Sequence, residues 1–235
     1  MATAKITKKD MAQDEFIEGV FDFGEWLEVH WRRVAVGLGV AIALVLLGIA
    51  WNSMREKSTD EANGFLAKGI DAFAPPAPAG GQPAAPRYPE ALTFFEQAEK
   101  AGGSKGVGEI ARLFRARTLI AMARAGEAVP VLEGLTGSGN EGLAAAAKVS
   151  LAEAAEATGN ADRAVTLLQE LAAPAKGTAA YPTDSVLFLL GGVRERQGKK
   201  DEAKKVYDDL IARFPQSPLA AGARQRMGES AAKAK

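Results

Sequence analysis

A short motif that recurs through the second half of the chain restricts the possible folds most strongly. In each copy a glycine or proline break is followed by a charged stretch and then by an alanine, at Ala91, Ala128, Ala164 and Ala203. The intervals between successive alanines are nearly equal, and the segments between the breaks lack sustained period-2 alternation. A period of about 34 residues, slightly shorter than these intervals, is typical of stacked helix pairs. The sequence therefore predicts an all-α solenoid of antiparallel helix pairs.

The last copy of the motif is the most complete. We predict that Ala203 is the small residue of a second helix, and that Gly191, twelve residues earlier, lets the first helix cross it closely. Tyr207, one turn after Ala203, should fill the groove between the helices, and Pro215 should end the second helix. The apolar residues that precede Gly191 on the same face are Leu187 and Leu190. This pattern resembles a tetratricopeptide repeat.

The preceding units follow the same pattern less completely. Residues 148–174 match it at Leu151, Ala152, Ala164, Leu168 and Leu171. Residues 112–135 match at Ala116 and Ala128, but Arg115 occupies a position that is usually apolar. Residues 217–231 should form a closing helix, because a solenoid needs a polar cap at its end.

A hydrophobic segment near the N-terminus predicts a transmembrane helix. Residues 34–51 form 18 consecutive positions without a charge. Arg32 and Arg33 precede them directly, and Trp31 and Trp51 lie at the two ends. A helix of this length spans roughly 27 Å, close to the hydrocarbon core of a bilayer. A cleaved signal peptide fits less well, because its apolar core is shorter and a small-residue cleavage site should follow. A buried helix of a soluble core fits less well still.

Small residues line one face of this predicted span. Ala35, Gly39 and Ala43 recur at four-residue spacing, which allows a second membrane helix to approach closely. The alternative is that glycine and alanine are simply frequent in membrane helices.

Charge around the span predicts its orientation. Five lysines and arginines precede it and three lie at positions 52–71, so the N-terminus should be cytoplasmic and the larger C-terminal part outside the cytoplasm. Residues 1–33 then form a cytoplasmic leader, in which residues 10–31 fit an amphipathic helix with an acidic face. Such a helix could bind a protein or simply lead into the membrane.

The remaining chain divides into three predicted parts. Residues 52–73 should form a helix leading out of the membrane. Residues 74–89 contain six prolines and cannot be a helix interior, so they form a linker or a long surface loop. Residues 90–235 form the predicted repeat domain.

The composition offers few residues for catalysis or metal binding. Cysteine is absent, histidine occurs once at His30, and 29 basic residues balance 29 acidic ones. These counts argue against a multi-histidine metal site, a hydrolytic triad or nucleic-acid binding. Residues 102–106 lack a phosphate-loop pattern, and Asp208–Asp209 beside Lys204 and Lys205 fits a solvated helix face. We therefore expect no enzyme, and no catalytic, cofactor-binding or metal-binding residues or small-molecule substrate.

The order of these parts resembles the YfgM-like family of ancillary subunits of the bacterial SecYEG translocon. The residues that carry the resemblance are Asp14–Glu15, Trp26, Trp31, the segment 34–51 and the EKSTDEA stretch at residues 56–62. The resemblance implies a non-enzymatic protein of the bacterial inner membrane that contacts the translocon through its single span. Its periplasmic repeats would contact exported proteins and periplasmic chaperones. The proline-rich residues 74–89 depart from the family pattern.

A second class of function is compatible with the same architecture. An envelope scaffold could use the repeats to bind a cell-wall or outer-membrane biogenesis partner. The residues alone do not distinguish the two classes.

Overall fold

The computed structural model describes residues 56–76, 84–173 and 179–232, with side chains up to residue 228. The predicted leader, the span at residues 34–51 and its residues Ala35, Gly39 and Ala43 lie outside these described residues. Within the described ranges, no helix combines the length and apolar character needed to cross a bilayer. From Ser58 onwards the described helices belong to one compact unit, Ser58–Lys235.

The described residues form nine α-helices and no β-strand, which confirms the expected all-α class. Connections of three residues join α3 to α4, α5 to α6 and α7 to α8, and each helix from α2 onwards packs against the next. Such short connections produce antiparallel helix pairs. In chain order the helices are α1 (residues 56–73), α2 (Tyr88–Gly102), α3 (Val107–Ala121), α4 (Ala125–Leu135), α5 (Glu141–Ala157), α6 (Ala161–Ala172), α7 (Thr183–Arg196), α8 (Lys200–Arg213) and α9 (Pro218–Ala232).

The recurring alanine occupies the same position in every second helix. It is the fourth residue of α2, α4, α6 and α8, and its exposed fraction is 0% in the first three helices and 3% in α8. A methyl side chain at this point leaves room for the neighbouring helix, whereas a larger side chain would force the pair apart. The spacing of the alanines in the sequence thus reflects one repeated packing contact.

Four residues after each alanine, a large side chain fills the space between the paired helices. In the last pair, a Cβ added to Gly191 would lie 2.7 Å from Cδ1 of Tyr207, so only glycine leaves room for this ring. In the first pair, a Cβ on Gly69 would lie 2.6 Å from Cδ1 of Phe95. Non-bonded carbon atoms do not approach each other this closely. The two rings therefore require glycine on the facing helix.

The two central pairs use a different combination at the same positions. Ala116 and Ala152 lie twelve residues before the recurring alanine, as Gly191 does, and Leu132 and Leu168 lie four residues after it. All four side chains are buried. We call the small residue on the first helix and the large residue on the second a crossing pair. The end pairs combine glycine with an aromatic ring, and the central pairs combine alanine with leucine. A larger residue on the first helix is therefore accompanied by a smaller side chain on the second.

Other predicted repeat residues lie in the core or at helix ends. Leu151, Leu187 and Leu190 are buried, and Leu171 is partly buried against the cluster formed by α5, α6 and α7. Pro215 lies two residues beyond the end of α8. The closing helix α9 begins one residue later than expected.

The proline-rich segment connects two helices of the same unit, which changes the predicted division of the chain. The Arg87 amide donates to the Ala72 carbonyl at 2.8 Å, and the Ser58 hydroxyl donates to the Ala101 carbonyl. Helices α1 and α2 therefore form the first pair of the solenoid. The repeats begin with α1 rather than at residue 90, and α2 begins at Tyr88. The inserted loop concealed this pair, because it moves Gly69 much further from the recurring alanine of α2 than Gly191 is from that of α8.

The turn within each later pair contains a left-handed residue five positions before the recurring alanine. Gly159 has a φ of 85° and Gly198 a φ of 77°, as expected for glycine in this region. The equivalent residue between α3 and α4 is Ala123, whose φ is 59°. A Cβ disfavours this conformation by roughly 1–2 kcal/mol.

We therefore predict that Ala123→Gly stabilises the protein by about 1 kcal/mol, since relief of strain exceeds the added freedom of the unfolded chain. The free energy of unfolding in urea measures the effect. Ala67→Gly, at an exposed position in the interior of α1, is the matched control and should lose about 0.5–1 kcal/mol. Equal losses in both variants would contradict the proposed strain.

Candidate functional site

The first helices of the pairs line one side of the solenoid. Helix α3 contacts α5, and α7 contacts α9, across the intervening second helices. In helical solenoids the helices stacked in this way form an extended binding surface. We call α1, α3, α5 and α7 the inner helices.

The residue directly after each crossing glycine or alanine is turned away from the paired helix. This inner row consists of Ile70, Arg117, Glu153 and Gly192. The first three are exposed, whereas Gly192 is buried. A Cβ on Gly192 would lie 3.1 Å from Nη1 of Arg226 and 3.3 Å from Nη1 of Arg196, so two guanidinium groups cover the last position of the row.

An apolar surface lies at the α1 end of the inner row. Ile70 and Ile110 are the exposed large hydrophobic residues of the described chain, each with 37% of its surface accessible. The Phe73 and Phe114 rings join α1 to α3 edge to face, with centroids 6.4 Å apart. Each isoleucine precedes one of these rings by one helical turn, and the two inner helices run in the same direction. Each isoleucine therefore lies one turn from a ring of this contact on its own helix.

The middle of the inner row contains an arginine and a glutamate on adjacent helices. Glu153 on α5 is exposed, yet the surrounding protein removes enough water to raise the pKa of its carboxyl group. The positive charge of Arg117 on α3 opposes this rise in pKa, and the neighbouring Glu156 adds to it. Among the described residues, no ion pair within 4 Å includes Arg117 or Glu153. Both groups are exposed, and Arg117 acts on Glu153 through its charge.

The α7 end of the surface is closed by internal contacts. Arg196 makes a two-bond ion pair with Glu156, with its Nη2 donating at 2.7 Å, and this pair links α7 to α5. Arg226 of α9 lies 3.6 Å from Glu195 and 4.8 Å from the centre of the Phe188 ring. These charges stabilise the stack of inner helices and are already paired.

A buried tyrosine supports the closed end. The Tyr207 hydroxyl donates to Glu195 at 3.3 Å and accepts from Arg226 at 3.4 Å. Burial is the main cause of a raised pKa for this hydroxyl, so it stays protonated and can donate. The residue that fills the last crossing pair thus also fixes the two charged residues beside it.

The exceptional Arg115 has a partner that the sequence does not reveal. Its Nε lies 2.8 Å from a carboxylate oxygen of Glu99 on α2, and Arg112 lies 3.8 Å from the other oxygen. The arginine at this usually apolar position therefore joins two neighbouring pairs through an ion pair.

The residues for which the sequence predicts no catalytic or binding role lie on a helix surface and in a loop. Asp208 pairs with Lys204 at 2.7 Å and Asp209 with Arg213 at 3.1 Å along α8. Residues 103–106 connect α2 to α3. Within residues 56–76, 84–173 and 179–232, no group of three or more acidic, histidine or cysteine side chains could hold a metal ion.

Sequence reasoning did not select Ile70, Ile110, Arg117 or Glu153. A usable signal was present for three of them, since each directly follows a small residue that a crossing pair requires. Ile110 had no such signal, because its exposure depends on how α3 packs.

The fold and this surface define a helical repeat protein with an exposed inner face, and comparison with known proteins gives its family. A family model described as a tetratricopeptide repeat-like domain matches residues 25–224, so the chain belongs to this family. No curated protein sequence matches it.

Solved structures support the same fold. Two crystal structures of nearly identical TPR-like repeats, from a predicted kinesin light chain of Podosopora anserina and a variant of it, superpose with a TM-score of 0.51. Each is 19% identical in sequence, and the match covers 76% of this chain and 83% of the other. At this identity the similarity concerns the fold alone.

The raised pKa of Glu153 predicts a pH-dependent effect of Glu153→Gln. Because the folded protein disfavours the charged carboxylate, the wild type loses stability as pH rises from the usual value of 4.5 through the raised pKa. The glutamine variant avoids this loss, so it should be more stable than wild type above that window and similar to it below. Urea unfolding at pH 4 and pH 8 measures the difference. Glu61→Gln, at an exposed site on α1, is the control, and an equal pH effect there would refute the prediction.

Proposed function

We propose that this protein is a non-enzymatic, membrane-tethered interaction module that acts beside the protein-export channel. In this role it would contact the SecYEG translocon through its N-terminal segment and pass exported polypeptides to periplasmic chaperones. The observation that carries the proposal is the exposed inner row on a tetratricopeptide repeat-like solenoid, a fold typical of protein-binding modules. Arg117 and Glu153 place an exposed positive group and an exposed negative group there, which act on each other, and Ile70 offers apolar surface.

The membrane tether in this proposal rests on the sequence of residues 34–51. This segment is free of charged residues from end to end and is preceded directly by Arg32 and Arg33. The family match starts at residue 25 and so includes the whole segment. In the proposed topology the N-terminus is cytoplasmic and the repeats are periplasmic, at the bacterial inner membrane.

Tethering supplies the physical basis of the proposed role. A surface held next to the channel exit meets each emerging polypeptide at a high effective concentration, even when its intrinsic affinity is low. Ala35, Gly39 and Ala43 would be the positions at which a translocon helix approaches the span.

Site-specific crosslinking in bacterial membranes tests the tether and its neighbours together. The full chain should stay in the membrane pellet after alkaline carbonate extraction. A photoreactive residue at Gly39 should then crosslink to a translocon subunit, and one at Arg117 to exported proteins or periplasmic folding factors, as identified by mass spectrometry. A photoreactive residue at Lys205, exposed on α8, is the matched control and should recover neither.

Two results would contradict the proposal. Release of the chain from the membrane by alkaline carbonate would refute the proposed membrane tether. Recovery of only cell-wall or outer-membrane biogenesis proteins would favour the envelope scaffold instead.

A further inference from the structure

We infer that the solenoid bends at α4, so that the helices before it and the helices after it move as two separate parts. The α4 hinge consists of Ala125–Leu135. Arg117 of the inner row lies before the hinge and Glu153 lies after it. Bending at α4 therefore changes the distance between these two groups. The inference concerns the repeat domain alone and does not depend on the translocon role.

Helix α4 contains residue types that weaken a helix and that are absent from the interiors of the other second helices. Gly126, Pro130 and Gly134 make up three of its 11 residues. Helices α6 and α8 contain neither glycine nor proline, and α2 has them only near its ends. Relative to alanine, an interior glycine lowers the helical equilibrium constant about fivefold, and an interior proline lowers it about a hundredfold. By intrinsic propensity, α4 is the least stable of the four second helices.

Packing does not explain either glycine of α4. A Cβ added to Gly126 or Gly134 would meet no atom within 4 Å, and neither residue has a positive φ. The crossing glycines are different, because a facing ring excludes a Cβ at Gly69 and Gly191. Pro130 is exposed and has no amide hydrogen to donate to the carbonyl four residues earlier. These three residues therefore make α4 easier to loosen without serving its packing.

The backbone and side chains next to α4 also hold it weakly. The turn before it contains Ala123 with a φ of 59°, where the later turns have glycine, so opening this turn relieves strain. On the outer side, Glu133 of α4 pairs with Arg163 of α6 at 2.5 Å, and both side chains are exposed to solvent. Exposed ion pairs contribute little to stability. Neither feature opposes a local loosening of α4.

The inner helices on either side of α4 touch each other without a polar or aromatic link. Other inner helices are joined more firmly, α1 to α3 by the Phe73 and Phe114 rings and α5 to α7 by the Glu156–Arg196 ion pair. A further arginine–glutamate pair joins α7 to α9. Within residues 56–76, 84–173 and 179–228, no ion pair within 4 Å and no ring contact joins α3 to α5, although the two helices contact each other. We infer that this contact is the pivot of the hinge.

Repeat architecture turns one weak helix into a local hinge. Each helix pair contacts only its neighbours, so loosening at α4 does not require the other pairs to open. Ala128, Leu132 and Leu135 of α4 are buried, which keeps the helix docked in the predominant state. A uniform repeat array opens first at its terminal units, because each of these has only one neighbour. A hinge at α4 predicts faster local opening in the interior instead.

Hydrogen exchange of the purified full chain, followed by mass spectrometry, tests this opening. Peptides from α4 should have protection factors at least about tenfold lower than peptides from α6, which lies on the other side of α5. The triple variant Gly126→Ala, Pro130→Ala and Gly134→Ala should raise the protection of α4 at least about tenfold and leave α6 unchanged. The control is Gly64→Ala at an exposed glycine of α1 with no atom within 4 Å of the added Cβ, and it should not affect α4.

A distance measurement across α4 tests the bending itself. The chain contains no cysteine, so Gln97→Cys on α2 and Gln169→Cys on α6 provide two exposed and specific sites for spin labels. Double electron–electron resonance should give a broad distance distribution for this pair. The triple variant should narrow the distribution, whereas Gly64→Ala should leave it unchanged. Circular dichroism checks that the labelled variants keep their helices.

Equal protection of α4 and α6 would overturn the inference. So would a distance distribution that is as narrow before the triple substitution as after it. Neither result bears on the crosslinks from Gly39, because neither measurement involves the channel. Conversely, loss of those crosslinks with the predicted exchange and distances intact would refute the translocon role and leave the hinge standing.

Discussion

The close packing of one small residue against one large side chain determines how the helices of each pair cross. At both ends of the solenoid a glycine on the first helix faces an aromatic ring, in the pairs Gly69–Phe95 and Gly191–Tyr207. In the middle the same positions hold alanine and leucine. Interiors packed to crystal-like density tolerate exchanges that conserve volume far better than those that do not. Because the combined volume of the two side chains is conserved from pair to pair, successive helix pairs stay similar enough to stack.

The crossing pairs also place the proposed binding surface. Because successive residues of a helix are about 100° apart, the residue after each small crossing residue is turned away from the paired helix. In the first three pairs it is exposed as Ile70, Arg117 or Glu153. In the last pair it is Gly192, which is covered by Arg196 of α7 and Arg226 of α9, each of them paired with a glutamate. One packing rule thus yields an open face near α1, α3 and α5, and a closed end at α7.

The sequence predicted those parts of the fold that depend on local periodicity. The alanine spacing predicted the helix pairs, and the glycine at position 191 predicted the close crossing of the last pair. The first pair was concealed by the inserted loop, because membership of α1 depends on contacts such as Phe95 against Gly69. Arg115 departs from the repeat pattern for a similar reason, since its partner Glu99 belongs to a different helix pair. Contacts between distant segments leave no trace in a single sequence, so the exposure of Ile110 could not be predicted. Arg117 and Glu153, in contrast, directly follow the small residues Ala116 and Ala152 and could have been selected from the sequence.

A double-mutant cycle at the last crossing pair tests the central claim most directly. Gly191→Ala adds a Cβ where the Tyr207 ring lies, so it should reduce the free energy of unfolding in urea by roughly 1–3 kcal/mol. Adding Tyr207→Leu recreates the alanine–leucine combination of the central pairs, so it should cost less in the Gly191→Ala background than in the wild type, which gives a favourable coupling energy. Gly134→Ala, at a helical glycine with no atom within 4 Å of the added Cβ, should be neutral or stabilising. A Gly191→Ala variant as stable as this control, or a cycle without coupling, would contradict the account.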